Sequence, residues 1–171
     1  MAGLRLFSGS VMAPFGPVVV VAGDDGLRSV SFTGESGAKV PAGASVERDE
    51  SHPVVSRALA QLGEYLSGER TEFDLPLVLE GTEFQVAAWR ALARVAYGRT
   101  ASYATQAASI GRPTATRAVG AANGRNPVAI FLPCHRIVGS DGSLTGFAGG
   151  LETKRWLLAH EEAVLAGRGA A

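Results

Sequence analysis

The hydrophobic pattern changes character along the chain, and this change restricts the possible folds more than any other feature of the sequence. Residues 4–32 contain short runs rich in Val, Leu and Phe, and Asp25-Gly26 between two of them is a typical hairpin turn. From Thr82 onward, apolar residues recur instead at the spacing of an amphipathic helix. The 171 residues suffice for two small domains, so we expect an α/β domain followed by a mainly helical one.

The N-terminal domain is predicted to begin with three strands, over residues 4–7, 17–22 and 27–32. Residues 34–52 then lose their periodicity and gather Gly, Ser, Ala and acidic residues, which predicts an exposed loop. The helix that follows has Ser51 as its expected cap and Pro53 in its first turn, and it ends at Ser67-Gly68. An extended stretch over residues 73–79 completes this domain.

A sharp helix start marks the domain junction, which we place near Glu80-Gly81. Thr82 and Gln85 form a capping box, T-x-x-Q, in which each side chain satisfies a backbone N–H at the start of the helix. Tyr97-Gly98 is expected to stop this helix. These boundaries predict two domains, over residues 1–80 and 81–171.

Two short helices are predicted next, over residues 102–109 and 114–123, with Gly111-Arg112-Pro113 between them. This arrangement is typical of a helix-turn-helix. The second helix has little side-chain bulk, because Ala and Gly dominate it and Arg117 is its only charged residue. Small residues let a nucleic-acid backbone come close, but they equally allow tight helix packing, so the pattern alone leaves both interpretations open.

The net charge of zero hides opposite charges in the two parts of the chain. Residues 1–80 carry six Lys and Arg against eleven Asp and Glu, a net charge of −5, whereas residues 81–160 carry nine against three, a net charge of +6. Residues 161–171 add −1. A basic C-terminal part suits a polyanion such as DNA, although arginines that only solvate a surface give the same count.

Nothing in the sequence predicts a membrane segment or an exported protein. No uninterrupted apolar run approaches the roughly 20 residues that cross a bilayer, and the start of the chain lacks the layout of a signal peptide. The single cysteine excludes an intramolecular disulfide and a multi-cysteine zinc site. We therefore expect a cytoplasmic protein without a bound metal.

The single cysteine, Cys134, lies between an apolar segment and a glycine-rich loop. Residues 126–138 are predicted to form an apolar strand. Residues 139–150 form a loop with five glycines, whose backbone amides can approach a ligand, and a last helix runs from Thr153 to about Leu165. A lone cysteine is most often a buried structural residue, because a thiol packs like a small hydrophobic side chain.

His135 and Arg136 beside Cys134 indicate a second interpretation, a reactive thiol. A thiolate is a strong nucleophile, and a nearby base or positive charge activates it. Adjacent residues of a strand point to opposite faces, so loop geometry has to bring the imidazole to the sulfur. Glu161 on the last helix is the best distant acid to orient this histidine, although a helix glutamate is more often solvated.

Several motifs occur in an order that resembles one protein family. In chain order they are Gly81-Thr82-Glu83-Phe84-Gln85, Trp89, Tyr97-Gly98-x-Thr100-x-Ser102-Tyr103, Arg117-Ala118-Val119-Gly120, Asn126-Pro127, Pro133-Cys134-His135-Arg136 and Gly149-Gly150-Leu151. Over residues 81–161 this set resembles the O6-alkylguanine-DNA alkyltransferases, also called methylated-DNA-protein-cysteine methyltransferases. The resemblance implies a small α/β, ribonuclease H-like N-terminal domain and a mainly helical, winged-helix-like C-terminal domain.

The resemblance also implies an activity, which is direct-reversal DNA repair. An alkyl group, such as methyl, would pass irreversibly from O6-alkylguanine in duplex DNA to Cys134 after the base is flipped out, and each molecule would act once. Four residues match the family's catalytic set. Cys134 matches the alkyl acceptor, His135 the base that acts through a water, Glu161 the group that orients His135, and Asn126 a buried asparagine that braces the turn near the cysteine.

Further matches concern DNA binding and the base pocket. Arg117 matches the arginine that fills the gap left by the flipped base, and Tyr103 the tyrosine that donates to the guanine and helps turn the phosphate. Ala118 and Gly120 are expected at the DNA as well. The alkylguanine pocket is expected to consist of Tyr103, Ile137, Phe147, Ala148 and Gly149. No cofactor and no obligate protein partner are expected, only double-stranded DNA, and a monomer is the simplest state.

Two positions depart from the family pattern. Phe147 stands where many relatives carry tyrosine, so the ring can line the pocket but a hydroxyl is lost. Ala148 replaces a serine of some relatives, which matters less because its backbone amide is the group expected to face O6. The carbonyls of Cys134 and Ile137 would accept the guanine amino group.

Two other functions are compatible with the same residues. A cysteine hydrolase could use Cys134, His135 and Glu161, and such an enzyme would turn over many times. A non-catalytic DNA-binding protein could use the same helix-turn-helix, but related lesion-binding proteins lack the acceptor cysteine, which the present chain contains.

Overall fold

The chain forms two compact units, Met1–Leu79 and Glu80–Ala171, and the computed structural model describes residues 3–169. Within that range, none of the helices combines the length and the apolar character needed to cross a membrane. Cys134 and the motifs around it all belong to the second unit.

The first unit is a four-stranded sheet with one long helix. Its elements are β1 (Arg5–Ala13), β2 (Gly16–Gly23), β3 (Gly26–Ser31), β4 (Ser45–Arg48) and α1 (Pro53–Leu66). In the sheet order β3-β2-β1-β4, the first three strands pair antiparallel, whereas β4 pairs parallel to β1. The hairpin predicted at Asp25-Gly26 joins β2 to β3, with its turn one residue earlier, at Asp24-Asp25.

Helix α1 packs on β1 and β2 through an apolar face. The buried hydrophobic residues of the helix are Val54, Val55, Ala58, Leu62 and Tyr65. The helix lies close to the sheet at Gly9 of β1, where a Cβ atom would lie 2.8 Å from side-chain carbons of Val55 and Leu59 and would force them to shift. The prediction that Ser51 caps α1 is wrong. The hydroxyl of Ser51 donates to Asp49, and His52 occupies the N-cap position.

The prediction that residues 34–52 form only an exposed loop is also wrong. Glu35–Gly37 form a short 3₁₀ helix, and Ser45–Arg48 form β4 at the edge of the sheet. Between these elements the chain covers the sheet face opposite α1, where Ala38, Val40 and Ala44 pack against Leu6, Val19 and Val21. The hydrophobic pattern missed β4 because all four of its residues are exposed and therefore show no alternation.

Over residues 80–169 the second unit contains four α-helices, a short 3₁₀ helix and a two-stranded parallel sheet. Its elements are α2 (Glu83–Leu92), β5 (Ala101–Ser102), α3 (Tyr103–Ser109), α4 (Thr116–Gly124), β6 (Ile137–Val138) and α5 (Leu151–Gly169). The predicted capping box is confirmed: the Gln85 amide donates to Thr82 Oγ1 at 3.1 Å, and the Thr82 amide donates to Gln85 Oε1 at 3.0 Å. Helix α2 ends earlier than predicted, at Leu92, and α5 begins earlier, at Leu151.

The predicted pair of short helices is confirmed as α3 and α4. Their packing is fixed by Gln106 and Asn123, whose side-chain amides exchange two hydrogen bonds of 2.9 and 2.8 Å. Helix α2 is tied to this pair, because the Trp89 indole donates to the carbonyl of Ala122 at 2.7 Å. Buried amides with all these partners satisfied give the helix pair one defined geometry.

The prediction of a strand over residues 126–138 is wrong except at its end. The chain passes through tight turns, then a 3₁₀ helix at Cys134–Arg136, and only Ile137–Val138 form a strand, β6. Residues 126–138 are all buried, and a short buried apolar run gives the same hydrophobic pattern whether it is a strand or a series of turns. This buried segment fixes the position of Cys134 in the second unit.

Candidate active site around Cys134

Cys134 is the first residue of the 3₁₀ helix and is 7% exposed. It borders a cavity of about 300 Å³, which is at the small end of the range for ligand pockets. The other lining residues are Tyr103, Gly120, Asn123, Gly124, Gly146, Phe147 and Ala148. The thiol-bearing residue thus borders a space that a small ligand can enter.

Asn126 holds the turns that lead to the cysteine. Its side-chain Nδ2 donates to the Leu132 carbonyl at 2.8 Å, and its Oδ1 accepts from the Val128 amide at 3.0 Å. Together with an isolated β-bridge between Ala129 and Leu132, these bonds hold the turns in place. Asn126 is itself 4% exposed, so its amide satisfies buried backbone groups that water does not reach.

The same turn contains a strained residue. Ile130 has a φ of 75°, in the left-handed region that β-branched residues rarely adopt. This conformation costs about 1–3 kcal/mol, and it persists because the surrounding structure holds it, including the burial of the Ile130 side chain, which is 1% exposed. Strain of this kind is concentrated at functional sites in proteins.

The imidazole of His135 is bonded to Glu161 of α5. The distance from His135 Nε2 to Glu161 Oε2 is 2.6 Å, and both side chains are completely buried. Glu161 therefore orients the histidine next to Cys134, and its alternative interpretation as a solvated helix residue is excluded by its burial.

Arg136 is the second partner of Glu161. Its Nε donates to Glu161 Oε1 at 2.9 Å and its Nη2 to Oε2 at 3.1 Å, while Nη1 donates to the carbonyl of Val95 at 2.8 Å. The guanidinium also lies 5.4 Å from the ring centre of Tyr97. A fourth donor, the Gly98 amide, reaches Glu161 Oε1 at 3.0 Å. The buried carboxylate is therefore saturated with donors, as a buried charge requires.

These contacts set the protonation states of the pair. Burial alone would raise the pKa of Glu161, but the hydrogen bonds that His135 and Arg136 donate, together with the positive charge of Arg136, outweigh it and lower the pKa to about 2. Burial lowers the pKa of His135, and the attraction of Glu161 does not fully offset this. His135 is thus neutral, and Arg136, which is always charged, is the lasting counter-charge of Glu161.

The tautomer of His135 follows from its partner. A carboxylate only accepts hydrogen bonds, so the single proton of the neutral ring lies on Nε2 and Nδ1 keeps its lone pair. Nδ1 is buried and has no hydrogen-bond partner within residues 3–169. It is therefore able to accept a proton.

We expect the second unit to lose stability as the pH falls below about 6.5. The folded-state pKa of His135 lies below its ordinary value of 6.5, so on acidification the unfolded chain binds this proton first. The pKa of Glu161 is about 2 against an ordinary 4.5, so its contribution, about 3 kcal/mol, is present above pH 4.5 and is lost between pH 4.5 and 2.

Urea unfolding at a series of pH values tests this expectation. Tryptophan fluorescence reports the second unit alone, because both tryptophans, Trp89 and Trp156, lie in it. The urea midpoint is expected to fall steadily on acidification. A midpoint that stays constant between about pH 7 and about pH 4.5 would show that His135 does not titrate as described, and one that stays constant from there to about pH 2 would show the same for Glu161.

Lys154 is a buried cation that the sequence analysis missed. Its Nζ donates to the carbonyls of Ile137 at 2.7 Å and Thr145 at 2.8 Å, and the side chain is 0% exposed. Burial lowers the pKa of Lys154, and the charge of Cys134 acts in the opposite direction, so the two groups are within electrostatic reach. Lys154 thus ties the glycine-rich loop to β6 and places a positive charge that favours a thiolate.

A signal for Lys154 was present in the sequence. Lys154, Leu157 and Glu161 recur at helical spacing, three and then four residues apart, and all three are completely buried on one face of α5. Polar residues on a buried helix face usually have specific partners. Arg136 was named in the sequence only as a positive charge beside the thiol, and Asn123 was not named, because their partners on other elements cannot be identified without the fold.

Helix α4 presents an exposed face of small residues. Arg117, Ala118 and Ala121 are exposed, whereas Val119 and Ala122 are buried against the rest of the unit. The small residues Ala118 and Ala121 therefore face solvent and are not used for packing. Gly120 faces Tyr103, since a Cβ there would lie 3.8 Å from the tyrosine ring.

The structure brings most of the predicted site residues together. Cys134, Tyr103, Gly120, Phe147 and Ala148 border one cavity. His135, Glu161 and Asn126 are buried and do not line the cavity, whereas Arg117 and Ala118 are on the exposed face of α4. Ile137 and Gly149 do not line the cavity, and the Ile137 side chain is buried beneath it with its carbonyl bonded to Lys154. The described residues contain no group of three or more His, Cys, Asp or Glu side chains placed to hold a metal ion.

Two family models match the chain. Residues 6–79 match the ribonuclease-like domain of 6-O-methylguanine DNA methyltransferase, and residues 83–163 match the DNA binding domain of the same protein. Together they cover most of the 171 residues. The predicted fold class, a ribonuclease-like α/β domain followed by a mainly helical DNA-binding domain, is confirmed.

Individual relatives agree with the family models. A methylated-DNA–protein-cysteine methyltransferase of Methanosarcina barkeri is 44% identical over 153 residues, which are 89% of this chain and 94% of the relative. One of Mycolicibacterium paratuberculosis is 57% identical over 104 residues, 61% of this chain and 63% of the relative. The crystal structure of Mycobacterium tuberculosis OGT in complex with DNA is 39% identical, covers 94% of both chains and superposes with a TM-score of 0.80. The chain therefore belongs to the 6-O-methylguanine DNA methyltransferase family.

Proposed function

We propose that the protein repairs alkylated DNA by moving an alkyl group from O6-alkylguanine in a duplex onto Cys134. The observation that carries this proposal is the placement of Cys134 at a small cavity, directly before a neutral His135 whose Nδ1 can take a proton. The relatives are named methylated-DNA–protein-cysteine methyltransferases, and the OGT of Mycobacterium tuberculosis was crystallised with DNA. The transfer is irreversible and stoichiometric, so each molecule acts once.

The proposed step is an in-line displacement at the alkyl carbon. A bond forms between the sulfur and that carbon, while the bond from the carbon to O6 breaks and its electron pair stays on the guanine. The thiol proton passes to His135 Nδ1 through a water, and one proton returns to the guanine, so atoms and charge balance. The resulting thioether has no good leaving group, which ends the reaction without a cofactor.

The base has to leave the duplex before this step. The O6 substituent is hidden in the stack, and flipping the nucleotide out costs about a few kcal/mol. We assign this task to α4, whose exposed face lets the DNA backbone approach at Ala118 and Gly120 while Arg117 fills the gap left by the base. The net charge of +6 over residues 81–160 supports binding to DNA.

Tyr103, Phe147 and Ala148 line the cavity and are proposed to contact the flipped base. Phe147 supplies a ring without a hydroxyl, and the Ala148 amide faces O6. Ile137 and Gly149 contribute through backbone only, with the Ile137 carbonyl shared between Lys154 and the guanine amino group. Residues 1–80 are proposed to be a supporting domain beside the active domain, residues 81–171. A reducing compartment such as the cytoplasm would keep the Cys134 thiol unoxidised.

Peptide mapping tests the proposed function. The protein is incubated with a duplex that contains one O6-methylguanine, digested, and analysed by mass spectrometry. We expect one added methyl group on the peptide with Cys134, and no addition with a duplex in which guanine replaces the lesion. A peptide that remains unmodified while the DNA is repaired would refute the transfer and favour a hydrolase.

Arg117→Ala is expected to slow repair of duplex DNA at least tenfold and to leave the reaction with the free base O6-methylguanine unchanged. The reason is that only the duplex substrate needs a side chain to fill the vacated stack. The rates on the two substrates are compared for the wild type, Arg117→Ala and Arg155→Ala, an exposed arginine of α5 that controls for the loss of one positive charge. Equal losses on both substrates, or equal losses in both variants, would argue against a flipping role.

A further inference from the structure

The hydroxyl of Tyr103 has a partner outside the lining of the cavity. Tyr103 is the first residue of α3 and lines the cavity with Cys134. Its Oη lies 2.8 Å from Thr145 Oγ1, close enough for a hydrogen bond in which either oxygen can donate, and 3.5 Å from the Thr145 carbonyl oxygen. Thr145 belongs to the glycine-rich loop and is not part of the cavity lining.

The buried side chain of Lys154 fixes the position of Thr145. Its carbonyl accepts a hydrogen bond of 2.8 Å from Lys154 Nζ, and the same ammonium donates to the Ile137 carbonyl at 2.7 Å. Because Lys154 is completely buried, this link holds one residue of an otherwise glycine-rich loop against the strand that follows the cysteine. The Thr145 hydroxyl is therefore presented to Tyr103 from a defined place.

The direction of the shared hydrogen bond decides what Tyr103 can do. A phenol has one proton to donate. If Tyr103 donates to Thr145, this proton points away from the ligand. If Thr145 donates to Tyr103, the phenolic proton is available to a ligand in the cavity, and the incoming bond also polarises the O–H group and makes it a better donor.

We propose that Thr145 is a positioning residue that donates its hydroxyl proton to Tyr103 and thereby directs the phenolic proton onto the base in the cavity. This inference rests on the proposed function. During transfer, negative charge develops on the guanine, and a donor that is already oriented stabilises that charge without reorganisation. Thr145 would therefore affect the rate of transfer from bound DNA more than the affinity for DNA.

The test is a double-mutant cycle with single-turnover kinetics on a duplex that contains O6-methylguanine. Thr145→Val keeps the shape and removes the hydroxyl. We expect it to lower the transfer rate at saturating protein about three- to tenfold, with the half-saturating concentration changed less than about twofold. Thr145→Ser keeps a hydroxyl that can donate to Tyr103, so we expect it to transfer at about the wild-type rate. In a Tyr103→Phe background, Thr145→Val has no further effect, because the group it orients is gone.

The outcomes separate this inference from the proposed function. A loss from Thr145→Val that is the same with and without the Tyr103 hydroxyl, or that Thr145→Ser does not restore, would show that Thr145 acts only on the loop and would overturn the inference alone. An unchanged transfer rate in Thr145→Val would also overturn this inference and leave the proposed function intact. No transfer by the wild-type protein in this assay would refute the proposed function, and this inference with it.

Discussion

Cys134→Ala is expected to abolish alkyl transfer to the protein completely. The chain contains no other cysteine, and no other side chain at the cavity is a comparable nucleophile for an alkyl carbon. Transfer is measured with a duplex that carries radiolabelled O6-methylguanine, by the label that remains with the protein in denaturing electrophoresis. Any label transferred by this variant would show that the acceptor is a different residue.

Two controls separate lost chemistry from lost structure. Cys134→Ser keeps an oxygen nucleophile of similar size, yet it should be inactive as well, because a hydroxyl at neutral pH is a far weaker nucleophile than a thiolate. Both variants should bind the lesion-containing duplex within about threefold of the wild-type affinity, since Cys134 lies at the cavity and not on the exposed face of α4. A large loss of binding would mean that the substitution disturbs the fold.

Glu161→Gln is expected to destabilise the second unit by about 3–5 kcal/mol and to reduce transfer strongly. The substitution removes the charge that compensates Arg136, whose guanidinium is bonded to both carboxylate oxygens and is almost completely buried. It also replaces one of the two acceptor oxygens with an NH2 donor, so the amide cannot accept from both His135 Nε2 and Arg136 Nε. Urea unfolding followed by tryptophan fluorescence measures the stability of this unit.

Neighbouring positions provide the controls for Glu161. Glu162→Gln removes a charge from an exposed position of the same helix and should change stability by less than about 0.5 kcal/mol. Replacing both Glu161 and Arg136 by methionine removes the unpaired charge, so it should recover part of the stability but none of the activity. If Glu161→Gln were no more harmful than Glu162→Gln, the buried carboxylate would not have the role described.

The fold was predicted best where local chemistry alone determines the structure. The Thr82 capping box depends on two side chains three residues apart, and the sequence places it correctly. The exposed edge strand β4 has no periodicity to detect, and the turns before Cys134 look like a strand because they are buried and apolar. The strand depends on a distant partner, β1, and the turns depend on hydrogen bonds of the Asn126 side chain, and a hydrophobic pattern reveals neither.

The site was predicted in outline but not in its connections. Cys134, His135 and Glu161 could be named from the sequence motif, but the distance of 2.6 Å between the histidine and the glutamate depends on how α5 packs. Thr145 belongs to no recognisable motif, and the helical spacing of Lys154 does not reveal its partners. Both acquire their importance because the glycine-rich loop contacts α5 and α3. Such contacts between residues far apart in sequence require the three-dimensional structure.

The most direct test of alkyl transfer to Cys134 is a titration of repair against protein. A fixed amount of protein is given an increasing excess of duplex with O6-methylguanine, and repaired guanine and S-methylated Cys134 are both counted. We expect both quantities to reach a plateau of one per protein molecule and to remain equal throughout. Repair that continues beyond one lesion per molecule, or that exceeds the methylated cysteine, would contradict a single irreversible transfer to Cys134.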